Sequence, residues 1–582
     1  MAGPSRQTAH DSPSTMERLL PKSNVQKGVY LLLLAAAVYA IVMTITNWWV
    51  CDDAFISFRY AKNLVDGHGL IFNIGEKVEG YSNFLWTIMV AVGMKVSLDP
   101  VPFSLVLGGL SFLAVVIATG LVSYRLTESG KKPLFLVPIA ALLLMLHHDM
   151  HVYATSGLET MFTTALMMFG FLTLITARDN RKYLLAGFLL TLTALARPDG
   201  LLFTAMGGLF VLIAERRFRP AIAYALPVLL LYLPYWIWRY QYYGYVFPNT
   251  YYAKSGDLSY WSQGWVYLWV YLKSYYLLLT VAVAIAVVIW MRVSRSIAED
   301  SIAWRAFQLA LLFVIPYVIY IVKVGGDFMF ARFWIVITPL LFLLIELPIR
   351  LIVRKQGVLI ATALLLAATV ILRLNLYADD PKAQISGIAN EPAYYPPSHY
   401  AQAKIEGERL RSYLAGTEVK LAFRGQHAMQ IYYSEVPIAI ESATGLTDSY
   451  IAHLLLKERG RPGHEKMAPV EYLKSRGVDF MLVGVASPKS LVDSLTQISF
   501  DGQTVRILQY EGKVMERLKK FPEVRFMDIP SFLDQWIAQI PSLQPDLVEN
   551  SFLFFQDFYF RPTPDPDRLA RFSAAVQRIK RP

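Results

Sequence analysis

Between residues 29 and 374 the chain is a succession of apolar runs separated by short polar breaks. A bilayer core about 30 Å thick needs roughly 20 mostly apolar residues per crossing helix. Runs of that kind lie near 29–50, 101–122, 133–150, 159–177, 183–197, 200–214, 221–238, 264–290, 306–323, 333–349 and 357–374, so the pattern predicts about eleven transmembrane helices. Composition agrees: 55% of the residues are hydrophobic and 17% charged, which sets the chain apart from an ordinary soluble domain. The run after residue 28 is too long for a signal-peptide core and has no convincing cleavage site behind it, so it reads as a retained first helix.

One further stretch, YSNFLWTIMVAVGMKV at 81–96, decides the topology. If it does not cross, the loops YRLTESGKK, ARDNRK, ERRFRP, MRVSRSIAEDSIAWR and RLIVRK share a side with the N-terminal tail, which carries Arg6, Arg18, Lys22 and Lys27. Each of those loops holds three basic residues, and the positive-inside rule places such a set in the cytoplasm. Residues 81–96 are therefore expected to form an interfacial or re-entrant helix. The net charge of +11 is spread through these clusters and forms no continuous stripe, which argues against a nucleic-acid partner. The one cysteine, Cys51, excludes an internal disulfide. Three parts follow: a cytoplasmic tail at 1–28, a transmembrane domain at 29–374, and a C-terminal domain at 375–582 outside the cytoplasm. The last has no 20-residue apolar run; VKLAFRG, VPIAIES and VDFMLVGV read as strands, while YAQAKIEGERLRSYLAG and PVEYLKSRG read as helices, giving a soluble α/β fold.

That topology puts the unusual polar motifs on one face. CDDAFISFRYAKN follows the first helix, HHDMHVYATSGLET the third and ARPDG the fifth, FPNTYYAKSGD the seventh and KVGGDFMFARF the ninth. Ionisable groups clustered at membrane depth read as functional. Singly, each has an ordinary reading. Asp52 and Asp53 mark a helix end, Glu159 caps a helix, Arg197 and Asp199 pair within a turn, Lys254 and Arg332 snorkel, and Tyr251 and Tyr252 anchor at the interface. His147, His148 and His151 near Asp149 match no recognised metal-ligand spacing. Together, carboxylates beside Arg and Lys in an outward cavity suit an anionic lipid-linked donor and a hydroxyl acceptor. One carboxylate then takes the acceptor's proton, and phosphate leaves without a dedicated acid.

The run DDAFISFRYAKNLVDGHGLIFNIGEKVEGYSNFLW resembles the first external loop of membrane glycosyltransferases of the GT-C superfamily, most closely the branch of the mycobacterial terminal β-(1→2)-arabinofuranosyltransferases. The similarity continues through GLET, RPDG, NTYYAK and GGDFMFAR into GLTDSY and RPGHEKMAPVEYL. The resemblance implies transfer of a sugar, arabinofuranose in that branch, by direct displacement from a polyprenyl-phosphate donor such as decaprenyl-phosphoryl arabinofuranose. The acceptor is a hydroxyl of a cell-envelope glycan, glycolipid or glycoprotein at the outer face of the bacterial inner membrane. It maps the catalytic acid pair onto Asp52 and Asp53, one as base and the other as an orienting or metal-contacting partner, and leaves their order and a divalent cation open. Arg59, Arg197, Lys254 and Arg332 are the candidate phosphate contacts. Tyr81, Asn83, Glu159, Asp199, Asn249, Tyr251, Tyr252 and Asp327 are the candidate substrate contacts, and acceptor binding falls to the tail. In ESATGLTDSY, Glu441 stands where the resemblance leads one to expect Asp. Three alternatives remain: a mannosyl or other aldose transferase, a lipid-linked-sugar flippase, and a membrane-anchored glycan-binding protein.

Overall fold

The computed structural model describes residues 24–128, 137–215, 218–255, 258–294, 297–298, 301–353, 355–456, 458–482 and 490–580. Most of the predicted cytoplasmic tail, with Arg6, Arg18 and Lys22, lies outside these residues, as do Lys131, Lys132, Arg216, Arg217, Arg295 and Arg354 of the basic loops.

All eleven apolar stretches are helical for most of their described length, which makes this a polytopic α-helical membrane protein. Among the described residues five helices are long and apolar enough to cross a bilayer unaided: Asn24–Thr46, Pro100–Thr127, Phe218–Tyr243, Ile302–Val324 and Arg332–Ile352. The last is the axis of the bundle, with 78% of its apolar window buried, whereas Phe218–Tyr243, at 11%, shows its Leu-rich surface outward. That outer helix carries Pro227, which lacks the N–H for an i−4 bond, and a π turn at Val228–Tyr232 takes up the defect.

Three stretches depart from single straight helices. The first helix ends at Thr46, and a separate helix begins at Asp52, so the acid pair opens a new element instead of closing the first. Between them Trp49 Nε1 donates to Val152 O (2.8 Å) and Cys51 N to Ser156 O (2.9 Å). The 133–150 stretch breaks at His147, whose ring accepts from Met150 N (3.3 Å) and pairs with Tyr271 Oη (3.2 Å). The 264–290 stretch turns by 87° between Trp261–Ser274 and Leu277–Val293, with Tyr276 at φ +54°. The topology-deciding segment forms the helix Phe84–Lys95, whose 12 residues span about 18 Å, short of a bilayer core.

All strands of the described residues lie beyond residue 383. A two-stranded ladder, β1 (Gln384–Ile385) and β2 (Ile388–Ala389), precedes a six-stranded sheet of order β4-β3-β5-β7-β6-β8. Its strands are β3 (Lys420–Phe423), β4 (Ile438–Glu441), β5 (Phe480–Leu482), β6 (Gln497–Phe500), β7 (Gln503–Ile507) and β8 (Val524–Phe526). β4, β3 and β5 run parallel; the remaining pairings are antiparallel. This region is packed firmly against the helical one. The Asp52–Val65 helix lays Phe55 and Phe58 against Tyr432, at ring separations of 5.5 and 6.5 Å, beside the short helix Ala428–Ser434.

Candidate active site

The two adjacent aspartates have different environments. Asp52 is buried, and its carboxylate accepts the backbone N–H groups of Ala428 (3.0 Å) and Met429 (2.9 Å), the first turn of the Ala428–Ser434 helix. It caps a helix from 376 residues away, a favourable place for an acid. Burial nevertheless pushes its pKa up to about 7, with the two N–H groups opposing. Asp53, one residue on, points elsewhere. Its side chain is one-third exposed and lies 4.0 Å from Arg332 Nη1, on the wall of a cavity.

Behind Asp53 the loops between helices meet in a buried charge cluster. Arg332 Nη1 also reaches Asp327 (3.5 Å), and its Nη2 reaches Glu159 Oε1 (3.6 Å). The same Glu159 oxygen lies 3.4 Å from Arg197 Nη1, while Arg197 holds Asp199 through Nε (2.9 Å) and Nη2 (2.8 Å). Asn83 donates to the other Glu159 oxygen (2.8 Å) and accepts from Ser57 and Thr87, which fixes its amide. Four carboxylates thus face two guanidinium groups, and Arg197 and Arg332 already have partners.

The cavity holds about 290 Å³ and lies between the helical region and the C-terminal region. Cys51, Asp53, Phe328 and Met329 form one wall; Glu391, Tyr395, Arg424–His427, Arg461 and His464 contribute to the other. Backbone pairing joins the two sides: Ala389 N donates to Phe328 O (2.7 Å) and Phe330 N to Ala389 O (2.9 Å). Glu391 Oε1 lies 3.5 Å from Arg461 Nη2, yet burial and the facing Asp53 raise its pKa to about 8. Neutral Glu391 leaves the Arg461 charge largely uncompensated, and Arg461 stands over the Phe328 ring at 5.1 Å. Burial and the neighbouring Arg461 lower the pKa of His464, which favours its neutral form. Lys254 runs alongside: a Cβ built on Gly463 would sit 3.6 Å from its Cε.

Several candidates have structural duties. Arg59 gives its donors to the carbonyls of Phe72 (2.8 Å), Val436 (2.6 Å) and Ile431 (3.4 Å), clamping the two regions together away from the cavity wall. Tyr81 is buried 4.6 Å from the Tyr60 ring and takes a hydrogen bond from Tyr243 (3.3 Å). Asn249 donates to Gly445 O (2.8 Å) and Leu446 O (2.9 Å). Tyr251 stacks on Phe247 and Tyr252 on His453. Glu441 accepts the N–H groups of Ala443, Thr444 and Gly445, tying the turn that brings Ala443 to the cavity. Among the described residues no group of three or more His, Cys, Asp or Glu side chains is placed to hold a metal ion.

Sequence reasoning misses Glu391, Arg461 and His464 as cavity residues. RPGH at 461–464 carries a signal, since an Arg and a His flank a turn glycine (Gly463, φ +74°) in a motif of the resemblance; Glu391, in NEPAYYPP, has none.

No protein-family model matches the chain. It is 27% identical over 359 residues to the terminal β-(1→2)-arabinofuranosyltransferase of Mycobacterium tuberculosis, covering 56% of this chain and 57% of that protein. It is 25% identical over 376 residues to the protein of the same name from Corynebacterium glutamicum, covering 59% and 54%. The chain therefore spans a little over half the length of the curated relatives it matches. The fold is similar to that of apo ArnT from Cupriavidus metallidurans, with a TM-score of 0.50 at 11% identity over 83% of this chain and 98% of that one.

Proposed function

We propose that this protein is a membrane glycosyltransferase. It moves a sugar, arabinofuranose by its likeness to the two relatives, from a polyprenyl-phosphate donor to a hydroxyl of a cell-envelope glycan. One observation carries the reading: of the acid pair, Asp53 alone is turned into the cavity, beside Arg332 and opposite Arg461. The acceptor oxygen attacks the anomeric carbon as its proton passes to Asp53. The bond from that carbon to the phosphate oxygen breaks, and polyprenyl phosphate departs with the electron pair. Arg461, Lys254 and the edge of Arg332 supply positive charge to the phosphate as its charge grows. Asp52 is the orienting partner: it fixes the helix that follows the Arg424–His427 wall. The C-terminal region, on this reading, forms half of the site.

The loops carrying Asp53, Glu159, Arg197 and Arg332 meet at one end of the bundle, which supports placing them all on one face. We assign that face to the outside of the bacterial inner membrane, with 375–582 also outside and about eleven crossings. The test is purified protein in lipid nanodiscs, offered a panel of polyprenyl-phosphate sugars with an oligosaccharide acceptor and read by mass spectrometry. A new glycoside is expected from the arabinofuranosyl donor; no glycoside from any donor overturns the proposal.

A further inference from the structure

The helix Trp261–Ser274 has two sharply different faces. Gln263, Gly264, Tyr267, Val270, Tyr271 and Ser274 are buried against the protein. On the opposite side Trp261, Trp265 and Trp269, spaced four residues apart, are 44%, 59% and 52% exposed. Beyond Tyr275 the chain turns 87° into Leu277–Val293, an apolar helix whose outward Leu278 and Leu279 continue the exposed surface. If Leu277–Val293 runs through the bilayer, an element at a right angle to it lies in the membrane plane. Tryptophan is the residue of that boundary, its ring apolar and its indole N–H wet. The exposed Lys273 adds a cation at headgroup level.

We propose that Trp261–Ser274 lies flat in the headgroup–acyl boundary of a lipid bilayer with its tryptophan face in the lipid, and that it fixes the depth of the Asp53 cavity. Its buried face is the floor of the loop that carries Arg332. Tyr267 Oη donates to Met329 O (3.0 Å) and accepts from Phe333 N (3.2 Å), while Trp334 Nε1 donates to Tyr267 O (3.2 Å). Gln263 Nε2 donates to Ser386 O (2.7 Å), reaching the ladder beside Glu391. The occupant is lipid rather than protein because exposed apolar side chains resume on the next helix at Leu278 and Leu279, a helix apolar along almost its whole length.

Depth measurements test this without any enzyme assay. The single native cysteine, Cys51, is buried, so Trp261→Cys, Trp265→Cys and Trp269→Cys can each be labelled with a fluorophore in nanodiscs and quenched by lipids spin-labelled at known depths. Leu279→Cys and Ile289→Cys, both exposed, serve as the ruler on the next helix. At 1.5 Å per residue a crossing helix separates positions 261 and 269 by about 12 Å, and 279 and 289 by about 15 Å. The expected result is equal depth, within about 3 Å, for the three tryptophan positions near the lipid carbonyls, against the full spread on the ruler. A 12 Å gradient from 261 to 269, or quenching of all three by aqueous iodide but by no lipid, overturns the proposal.

Discussion

Replacing Asp52 with alanine should loosen the joint between the two regions while leaving the Asp53 carboxylate in place. The carboxylate holds two buried backbone N–H groups, those of Ala428 and Met429. Each donor left without a partner costs about 1–3 kcal/mol, and water entering the vacated space recovers part of it, so a net loss of about 2–4 kcal/mol is expected. Asp52→Asn keeps one oxygen acceptor. A carboxyl whose pKa already sits near 7 gives up little on becoming an amide, so about 1 kcal/mol is expected there. Asp53→Asn, at a one-third exposed side chain, should stay within about 0.5 kcal/mol of wild type. The assay is amide hydrogen exchange over 428–434 together with thermal unfolding in detergent. The alanine variant should exchange fastest and melt lowest, with asparagine between it and wild type. Unchanged exchange in Asp52→Ala, or equal damage from alanine and asparagine, would refute the capping argument.

Three further outcomes follow from the site. Glu391, with its pKa near 8, is neutral below that pH; once ionised it competes with the donor phosphate for Arg461, so kcat/KM for the donor should fall as pH rises through about 8. Glu391→Gln should remove that limb of the profile. Arg332→Gln strips the cation from between Asp327 and Glu159 and should cost about 3–5 kcal/mol, which Asp327→Asn in the same chain partly restores on thermal unfolding. Gly264→Ala would put a Cβ 1.9 Å from Val322 O and should lower the melting temperature by overpacking worth about 1–3 kcal/mol, whereas Gly357→Ala, with open space around it, should not.

Much of the helical framework is legible because apolar run length is a direct reading of membrane thickness. The breaks are not. His147 opens the polar HHDMH motif, but its pairing with Tyr271 comes from far along the chain, and Tyr276, whose left-handed backbone marks the second break, looks like any other residue of its aromatic-rich run. The strands at 420–423, 438–441 and 480–482 announce themselves as short apolar runs and are buried along almost their whole length, and Asp501-Gly502, both at positive φ, is a hairpin signal between β6 and β7. The division of labour between Asp52 and Asp53 is invisible locally, since the groups that separate them come from residues 428–429 and 332. Arg59 is the instructive miss. A lone cation in a polar loop invites a phosphate, and only the fold shows its donors spent on carbonyls.

The most direct test of the account is the single-turnover rate of sugar transfer by Asp53→Asn beside Asp52→Asn, with polyprenyl-phosphoryl arabinofuranose as donor. General-base catalysis is worth about 10²–10⁴ in rate, so Asp53→Asn should be slowed by at least about a hundredfold while Asp52→Asn stays within about tenfold of wild type. Wild-type turnover in Asp53→Asn, with the loss falling on Asp52→Asn instead, would contradict it.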